Sequence, residues 1–204
     1  MKLIGIGRNY VDHAKELNNP VPKEPVIFLM PDTAQLRNND PFYIPDFTKN
    51  VHYEVEIVVR INKIGKNIAE RFAHRYYEEI GIGIDFTARD LQTELKTKGL
   101  PWANAKAFDY SAPISMKYIN KEDFSSVQDI DFSLLKNGEL VQKGNTSDMI
   151  FKIDELIAYI SKFYTLKIGD LIYTGTPPGV GKIEIGDKLE AFIGERNMLV
   201  CNVL

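Results

Sequence analysis

Two glutamates separated by one residue stand in a run of strand-forming residues. The run Val51–Ile57 reads Val-His-Tyr-Glu-Val-Glu-Ile and places Glu54 and Glu56 two positions apart. Because side chains alternate between the two faces of a β-strand, both carboxylates should point to the same side. Carboxylate oxygens are ligands of Mg²⁺ and Mn²⁺, so the pair is a candidate for part of a metal site. The same pair could also lie on the solvent-facing side of a strand, where both glutamates are simply hydrated. A third ligand nearby would favour the metal site over the hydrated strand face.

A histidine and a glutamate three residues apart form a second candidate. His13 and Glu16 lie in the segment Val11–Leu17, which predicts a short helix ended by Asn18-Asn19-Pro20. Residues at this spacing are neighbours on one helix face. Glu16 could therefore accept a proton from one imidazole nitrogen and orient the other as a general base. A surface histidine beside a surface glutamate has the same spacing.

A carboxylate at the end of a glycine-containing strand is the candidate third ligand. Glycines alternate in Gly81–Asp85, which permits the close approach of a backbone or a ligand, and Asp85 closes the strand before a helix predicted over Thr93–Lys98. Ligands often bind where a strand ends and a helix begins. Lys106 lies among small and apolar neighbours in the irregular segment Pro101–Asp109. It is either a functional lysine or a surface lysine whose stem follows apolar surface.

A loop rich in proline and glycine follows the predicted strand Leu171–Tyr173. Its sequence over Thr174–Gly181 is Thr-Gly-Thr-Pro-Pro-Gly-Val-Gly. The prolines make it rigid, and the glycines allow close approach to a ligand. It is too short for a nucleotide-binding P-loop and lacks the Gly-Lys-Ser/Thr ending of that motif.

The elements that must position these residues are mostly strands. Hydrophobic patterns and turn signals predict strands at Lys2–Ile6, Val26–Met30 (buried), Phe42–Pro45, Val51–Ile61, Gly81–Asp85 and Leu171–Tyr173, and two more within Lys188–Val203. An Asn-Gly turn predicts a hairpin over Asp131–Gln142. Helices are predicted at Ala69–Ile80 and Asp148–Phe163. The apolar stripes of both helices are expected to be core.

Composition predicts an ordinary globular protein and excludes several partners. The 204 residues are 44% hydrophobic and 26% charged, which favours one domain over residues 1–204. The net charge of −3 and the lack of a long Lys/Arg run argue against nucleic acid or membrane as the main partner. Cys201 is the single cysteine, expected to be buried in a strand, and it excludes an internal disulfide. Without an apolar run of about 18 residues or a signal peptide, we expect a cytoplasmic protein.

Five motifs in a fixed order resemble the fumarylacetoacetate hydrolase family. They are Gly7-Arg8-Asn9-Tyr10 with His13 and Glu16, Glu54-x-Glu56, Asp85-x-Thr87-Ala88-Arg89-Asp90-x-Gln92, Gly99-Leu100-Pro101-Trp102 with Lys106, and Thr174-Gly175-Thr176-Pro177 with Gly179-Val180-Gly181. The likeness spans Lys2 to Val203. It is strongest to the small single-domain branch that contains acylpyruvases and oxaloacetate decarboxylases.

The resemblance implies a fold and a set of roles. The fold would be α+β and β-rich, a mixed β-roll with small flanking helices, and the protein would be a homodimer. Mg²⁺ or Mn²⁺ would bind Glu54, Glu56 and Asp85. His13 and Glu16 would form the catalytic dyad that activates water, carried on an N-terminal lid of about residues 8–20. The remaining roles implied are Lys106 as a catalytic group and Arg8, Arg89, Gln92 and Thr176 as contacts to a small 2-oxo acid substrate.

These roles imply a metal-dependent enzyme that cleaves a C–C bond in 2,4-dioxo acids such as acetylpyruvate or fumarylpyruvate, and that also acts on oxaloacetate. In both cases a pyruvate enolate is stabilised by the metal and by Lys106 and Arg89. Two alternatives remain open at this point. One is an isomerase or decarboxylase of unsaturated dioic acids of the 2-hydroxyhepta-2,4-diene-1,7-dioate type, and the other is a protein that binds a metal and an oxo acid without turnover.

One position departs from the family pattern. Relatives commonly have Phe-Leu-Lys-Pro where this chain has Phe28-Leu29-Met30-Pro31, followed by Asp32. We therefore expect the cavity to lack a positive charge at Met30, with an altered handling of the substrate's far carboxylate.

Overall fold

Strands dominate the chain, as its run of β-branched and aromatic residues predicts. The structure is a computed structural model that describes residues 1–16 and 20–204. The strands are β1 (Leu3–Gly7), β2 (Val26–Met30), β3 (Gln35–Leu36), β4 (Val51–Tyr53), β5 (Val55–Ile61), β6 (Tyr77–Ile84), β7 (Thr87–Ala88), β8 (Ala112–Pro113), β9 (Ile119–Asn120), β10 (Asp131–Lys136), β11 (Glu139–Asn145), β12 (Leu171–Tyr173), β13 (Gly181–Lys182), β14 (Lys188–Ile193) and β15 (Arg196–Asn202). The α+β, β-rich class is confirmed.

The helices are short and flank the sheets. They are α1 (Val11–Glu16), α2 (Glu70–Ala73), α3 (Arg89–Thr97), α4 (Ala103–Lys106) and α5 (Ile153–Phe163). The longest, α5, has the apolar stripe that its sequence predicts, and Ile153, Ile157 and Ile160 are buried in the main core. None of the helices in the part of the chain that the structure describes is long and apolar enough to cross a membrane.

A six-stranded mixed sheet carries the acidic residues. Its order is β2-β1-β12-β5-β6-β9, with β1 and β12 parallel and the other neighbours antiparallel. Along β5, Val55, Ile57 and Val59 face the main core, whereas Val58 faces a second apolar cluster on the other side of the sheet. Both faces of this sheet are therefore covered.

A four-stranded antiparallel sheet, in the order β11-β10-β14-β15, supports the main core. Its first hairpin has the predicted turn, since Asn137 (φ 55°) and Gly138 (φ 84°) are both left-handed, as a two-residue type I′ turn requires. The two strands predicted at the C-terminus are confirmed as β14 and β15. Cys201 is buried in β15 as expected.

The helix predicted over Ala69–Ile80 is wrong. Helical structure there is limited to α2, and Tyr77–Ile84 forms β6, which pairs along its whole length with β5. Phe72, Tyr76 and Ile80 have helical spacing, but this segment is rich in β-forming residues. The antiparallel pairing with β5 buries Tyr77 and Ile80, so tertiary pairing overrides the local pattern.

Other predicted boundaries also shift. β2 is a strand at the edge of its sheet, and Met30 is its one buried residue, so the prediction of a buried strand is wrong for the rest. Phe42 forms an isolated bridge to Val203, but no strand continues to Pro45. Helix α3 begins at Arg89 rather than Thr93, and α4 lies in a segment predicted to be irregular.

Two more helix ends complete this comparison. The helix predicted from Asp148 begins at Ile153, after a 3-10 turn at Thr146–Asp148. Helix α1 is confirmed as far as Glu16. Its predicted last residue, Leu17, and the predicted stop at Asn18 and Asn19 lie outside the described residues.

The close approach predicted at the alternating glycines of β6 gives a test of the fold. A Cβ added at Gly83 would lie 2.8 Å from the carbonyl oxygen of Pro113 and 2.5 Å from the ring of Tyr173. We expect Gly83→Ala to lower the free energy of unfolding by about 1–3 kcal/mol, because a backbone atom in a packed sheet cannot move away easily. Urea denaturation measures this. An unchanged unfolding midpoint would contradict the packing described.

Candidate active site

The two glutamates point into one cavity rather than into solvent. Glu54 lies at the junction between β4 and β5, and Glu56 is the second residue of β5. Their exposed fractions are 5% and 2%, and both side chains line the cavity, while Val55 and Ile57 face the main core on the other side. The alternation predicted from the sequence is confirmed. The interpretation as a solvent-facing strand is wrong.

The pairing of β5 with β6 brings Asp85 beside them. Val55 pairs with Ile84, and the backbone N–H of Asp85 donates to the carbonyl oxygen of Glu54 at 2.8 Å. One carboxylate oxygen from each of Glu54, Glu56 and Asp85 lies within 4.8 Å of the others. The glutamate pair and a carboxylate from a separate part of the sequence therefore meet at one point.

Two cations partly neutralise this cluster. The Lys106 ammonium donates to Glu54 at 2.7 Å and to Asp85 at 2.6 Å, and the Arg89 guanidinium donates to the other oxygen of Glu54. Lys106 is 4% exposed, so the alternative interpretation of Lys106 as a surface lysine is wrong. The backbone N–H of Gly175, in the proline-rich loop, donates to Glu56 at 2.7 Å.

The charges within the cluster are unequally compensated. Burial raises the pKa of Glu54, but the charges of Lys106 and Arg89 outweigh it and hold the pKa below its usual range. Burial raises the pKa of Asp85 to about 7, against the opposing charge of Lys106. Burial and the neighbouring Asp85 raise the pKa of Glu56 well above its usual range. Positive charge is therefore still lacking around Glu56 and Asp85.

A divalent cation fits this arrangement. Oδ1 of Asp85 is buried and has no hydrogen-bond partner within residues 1–16 and 20–204. Mg²⁺ and Mn²⁺ prefer oxygen ligands, and the three carboxylates each offer an oxygen within 4.8 Å of the other two. The residues present thus match the donor set that a hard cation requires.

His13 and Glu16 meet as their spacing predicts. Nδ1 of His13 lies 3.3 Å from Oε2 of Glu16, whose carboxylate also accepts from the backbone N–H of Gly179 at 3.1 and 3.2 Å. His13 is 5% exposed and lines the same cavity as the acidic cluster, so a surface pair is excluded. Burial lowers the pKa of His13. Burial thus favours the neutral imidazole, and the contact of Nδ1 with Glu16 leaves Nε2 for chemistry.

Asn9 fixes the start of α1, and sequence reasoning had assigned it no role. It is fully buried, and its amide donates to the carbonyl oxygens of Phe151 (3.1 Å) and Thr174 (2.7 Å) and accepts from the N–H of Phe151 (2.8 Å). Arg8 just before it has a left-handed backbone (φ 61°). Its place in the motif Gly7-Arg8-Asn9-Tyr10 was the one feature of the sequence that could have indicated a structural role for Asn9.

Gln142 is a second positioning residue that the sequence did not reveal. Its side chain accepts from the backbone N–H of Val55 at 2.9 Å, and donates to the hydroxyl of Thr176 and the carbonyl oxygen of Pro177, both at 2.9 Å. The Thr176 hydroxyl donates in turn to the carbonyl oxygen of Val55 at 2.8 Å. Gln142 thereby joins the strand of the glutamates to the proline-rich loop. A buried glutamine inside a hairpin carries no recognisable motif.

The structure brings all ten candidate residues together. Nine line the cavity, and Glu16 supports His13 at its wall. Gln92 accepts from Arg89 at 2.6 Å on the same face of α3. Further lining residues, to which the sequence analysis gave no role, are Ile6, Gly7, Phe28, Lys96 and Trp102.

The expectation that Met30 leaves the cavity short of positive charge is wrong. Met30 does not line the cavity, and it is 2% exposed in the second apolar cluster beside Leu3 and Tyr173. In addition to Lys106 and Arg89, the cavity contains Arg8 and Lys96. The substitution therefore changes the core, and Asp32 is exposed.

Comparison with known proteins gives one consistent family. The model described as fumarylacetoacetate (FAA) hydrolase C-terminal matches residues 2–203. A mouse (Mus musculus) protein named oxaloacetate tautomerase FAHD1, mitochondrial, is 46% identical over 191 residues, which cover 94% of this chain and 86% of the mouse protein.

Solved structures agree with this assignment. A putative fumarylacetoacetate hydrolase family protein from Yersinia pestis CO92 superposes with a TM-score of 0.94 at 41% identity, covering 100% of this chain and 93% of that one. Fumarylpyruvate hydrolase from Pseudomonas aeruginosa, in complex with Mn²⁺ and pyruvate, superposes with a TM-score of 0.93 at 33% identity, covering 100% and 89%. The acidic cluster, the dyad and these relatives lead to one conclusion: the chain belongs to the fumarylacetoacetate hydrolase family of hydrolases, decarboxylases and isomerases.

Proposed function

We propose that this protein is a Mg²⁺- or Mn²⁺-dependent enzyme that enolises a small 2-oxo dicarboxylic acid of the oxaloacetate type. The observation that carries the proposal is a buried His13, oriented by Glu16, in the same cavity as three carboxylates and Lys106. The named activity of the mouse relative supports the choice of oxaloacetate. Cleavage of 2,4-dioxo acids, the reaction that the family resemblance implied first, becomes the second candidate.

In this proposal Glu54, Glu56 and Asp85 hold the cation. When bound, it supplies Lewis-acid stabilisation of negative charge on the keto oxygen of the substrate. Lys106 and Arg89 keep Glu54 ionised and add positive charge beside that oxygen. Gly175 fixes Glu56 through its backbone N–H, so this ligand is oriented before the ion arrives.

The dyad moves the proton. Nε2 of His13 takes a proton from C3 of the 2-oxo acid, the electrons of the C–H bond form the C2=C3 double bond, and the π electrons of the C=O bond shift to the keto oxygen. Return of the proton to that oxygen completes the tautomerisation. Glu16 stabilises the imidazolium that forms, and Gly179 holds Glu16. Positioned acid–base catalysis of this kind contributes about 10²- to 10⁴-fold in rate.

Hydrolysis of acylpyruvates is the second candidate. The same His13 can take a proton from water, which then attacks the distal carbonyl, and pyruvate enolate leaves. The similarity to fumarylpyruvate hydrolase supports it. An isomerase of unsaturated dioic acids would use the same proton transfer by His13, and the named activity of the mouse relative is the reason to place oxaloacetate before such substrates. Met30 is the one departure from the family pattern, and because it lies in the core it gives no support to a binder without turnover.

The homodimer is part of the same proposal. Exposed aromatic side chains, Tyr43, Phe47 and Tyr110, supply apolar surface of the kind that subunit contacts use.

An assay separates the candidate reactions. We expect the protein to accelerate the keto–enol interconversion of oxaloacetate in the presence of Mg²⁺ or Mn²⁺ and to lose this activity with a chelator, because the keto oxygen then lacks its Lewis acid. Ultraviolet absorbance follows the enol. Acetylpyruvate and fumarylpyruvate are tested in parallel, and cleavage of these with oxaloacetate untouched would favour the hydrolase. No turnover of any of them with metal bound would contradict both candidates.

Replacement of the proposed base tests the dyad. We expect His13→Asn to lower kcat on oxaloacetate by about 10²- to 10⁴-fold while Mg²⁺ affinity stays unchanged, because the side chain is similar in size but cannot take the proton. Exposed His74 provides the matched control, and His74→Asn should retain full activity. A normal rate in His13→Asn would place proton transfer elsewhere.

Replacement of Glu56 tests the ligand assignment. Glu56→Gln keeps the acceptor for the N–H of Gly175 but removes the charge. We expect calorimetry to show Mn²⁺ binding weakened by about tenfold or more, since even residues that only support metal ligands are worth about 10- to 100-fold in affinity. Glu139→Gln, at the exposed first residue of β11, is the control. Equal Mn²⁺ affinity in both variants would refute the assignment.

A further inference from the structure

Two cations share one aromatic ring at the wall of the cavity. The guanidinium carbon of Arg8 lies 5.8 Å from the ring centroid of Trp102, and the ammonium of Lys96 lies 5.5 Å from the same centroid. All three residues line the cavity that contains the acidic cluster. A ring face attracts a cation, but it does not neutralise two of them.

Neither cation has an acidic partner. Among the residues that the structure describes, Arg8 and Lys96 form no salt bridge, whereas Lys106 and Arg89 are paired with the acidic cluster. Nε of Arg8 is buried without a hydrogen-bond partner. Burial, followed by the charges of Arg8 and Arg89, lowers the pKa of Lys96 to about 8. The local excess of positive charge is complementary to an anion.

Helix α3 sets the distance between this cation pair and the acidic cluster. Arg89, Gln92 and Lys96 follow one another at three- and four-residue steps, so they lie on one helix face. Arg89 is at the end that donates to Glu54, and Lys96 lies about 10 Å further along at 1.5 Å per residue. Side chains on a helix lean toward its N-terminus, and Lys96 lines the same cavity as Arg89 and Glu54, so its ammonium reaches back toward the acidic cluster and a short ligand there meets it with its other end.

We propose that Arg8, Trp102 and Lys96 form a subsite for the distal carboxylate of a 2-oxo dicarboxylic acid, with Lys96 as the residue that determines this specificity. The proposal rests on the proposed function, because it assumes that the 2-oxo acid end occupies the acidic cluster. Arg8 presents a planar set of donors suited to a carboxylate, and Lys96 closes the subsite as a point charge on a longer stem. Substrates with a second carboxylate, such as oxaloacetate, would then be preferred over neutral-ended acylpyruvates such as acetylpyruvate.

Binding of two matched ligands tests the subsite. Oxaloacetate and 4-methyl-2-oxopentanoate share the 2-oxo acid end, but the second has two methyl groups in place of the distal carboxylate oxygens. Trp102 is the single tryptophan of the chain, so stopped-flow fluorescence with Mg²⁺ reports ligand binding at the subsite before turnover. We expect Lys96→Met to weaken oxaloacetate binding about tenfold, the scale of one charge-assisted hydrogen bond, and to change 4-methyl-2-oxopentanoate binding by less than about twofold.

Two further variants control the result. Lys98 is exposed two residues later and pairs with Glu94, so Lys98→Met should bind both ligands as the wild type does. Lys96→Arg should restore most of the affinity for oxaloacetate, since it restores the charge. Equal weakening of both ligands in Lys96→Met, or no change in either, would overturn the subsite.

The subsite and the proposed function fail differently. If the wild-type protein binds oxaloacetate through Lys96 but does not enolise it, the proposed function is wrong and the subsite stands. If it enolises oxaloacetate and Lys96→Met shows no selective loss, the subsite is wrong and the function stands. Failure of the wild type to bind either ligand with Mg²⁺ present would contradict both.

Discussion

The structure depends on the burial of three carboxylates at one point. Glu54, Glu56 and Asp85 meet where the pairing of β5 with β6 ends, and removing like charges from water is unfavourable unless positive charge accompanies them. Lys106 and Arg89 provide part of that charge. Arg89 is the first residue of α3 and Lys106 the last residue of α4, so both short helices pack where their cations reach the acidic cluster.

The sequence predicted the local geometry of the site well because each signal depends on short-range periodicity. The alternation that aims Glu54 and Glu56 at one side follows from strand geometry alone. The contact between His13 and Glu16 follows from helix geometry in the same way. The meeting of Asp85 with these residues did not follow from local pattern, since it requires the register of β5 against β6, and only the ordered motifs of the family supported it.

The errors have a common physical origin. Phe72, Tyr76 and Ile80 have helical spacing, and whether such a segment becomes a helix or a strand is decided by the partner available to it. Met30 was misjudged for a similar reason. Phe28 and Met30 lie on the same face of β2, but only Phe28 reaches the cavity, and Met30 at the end of the strand packs in the second apolar cluster. Gln142 was missed because a buried amide acts through three hydrogen bonds to distant backbone and hydroxyl groups, which no spacing predicts.

The loop that follows β12 connects the two halves of the site through its backbone. The N–H of Gly175 holds Glu56, and the N–H of Gly179 holds the carboxylate that orients His13. Four peptide units, stiffened by two consecutive prolines, thus separate the anchor of the metal-side carboxylate from the anchor of the base. The chain acts here as a spacer of fixed length, so the reach between proton acceptor and cation is set by main-chain geometry and does not depend on which side chains the rest of the loop carries.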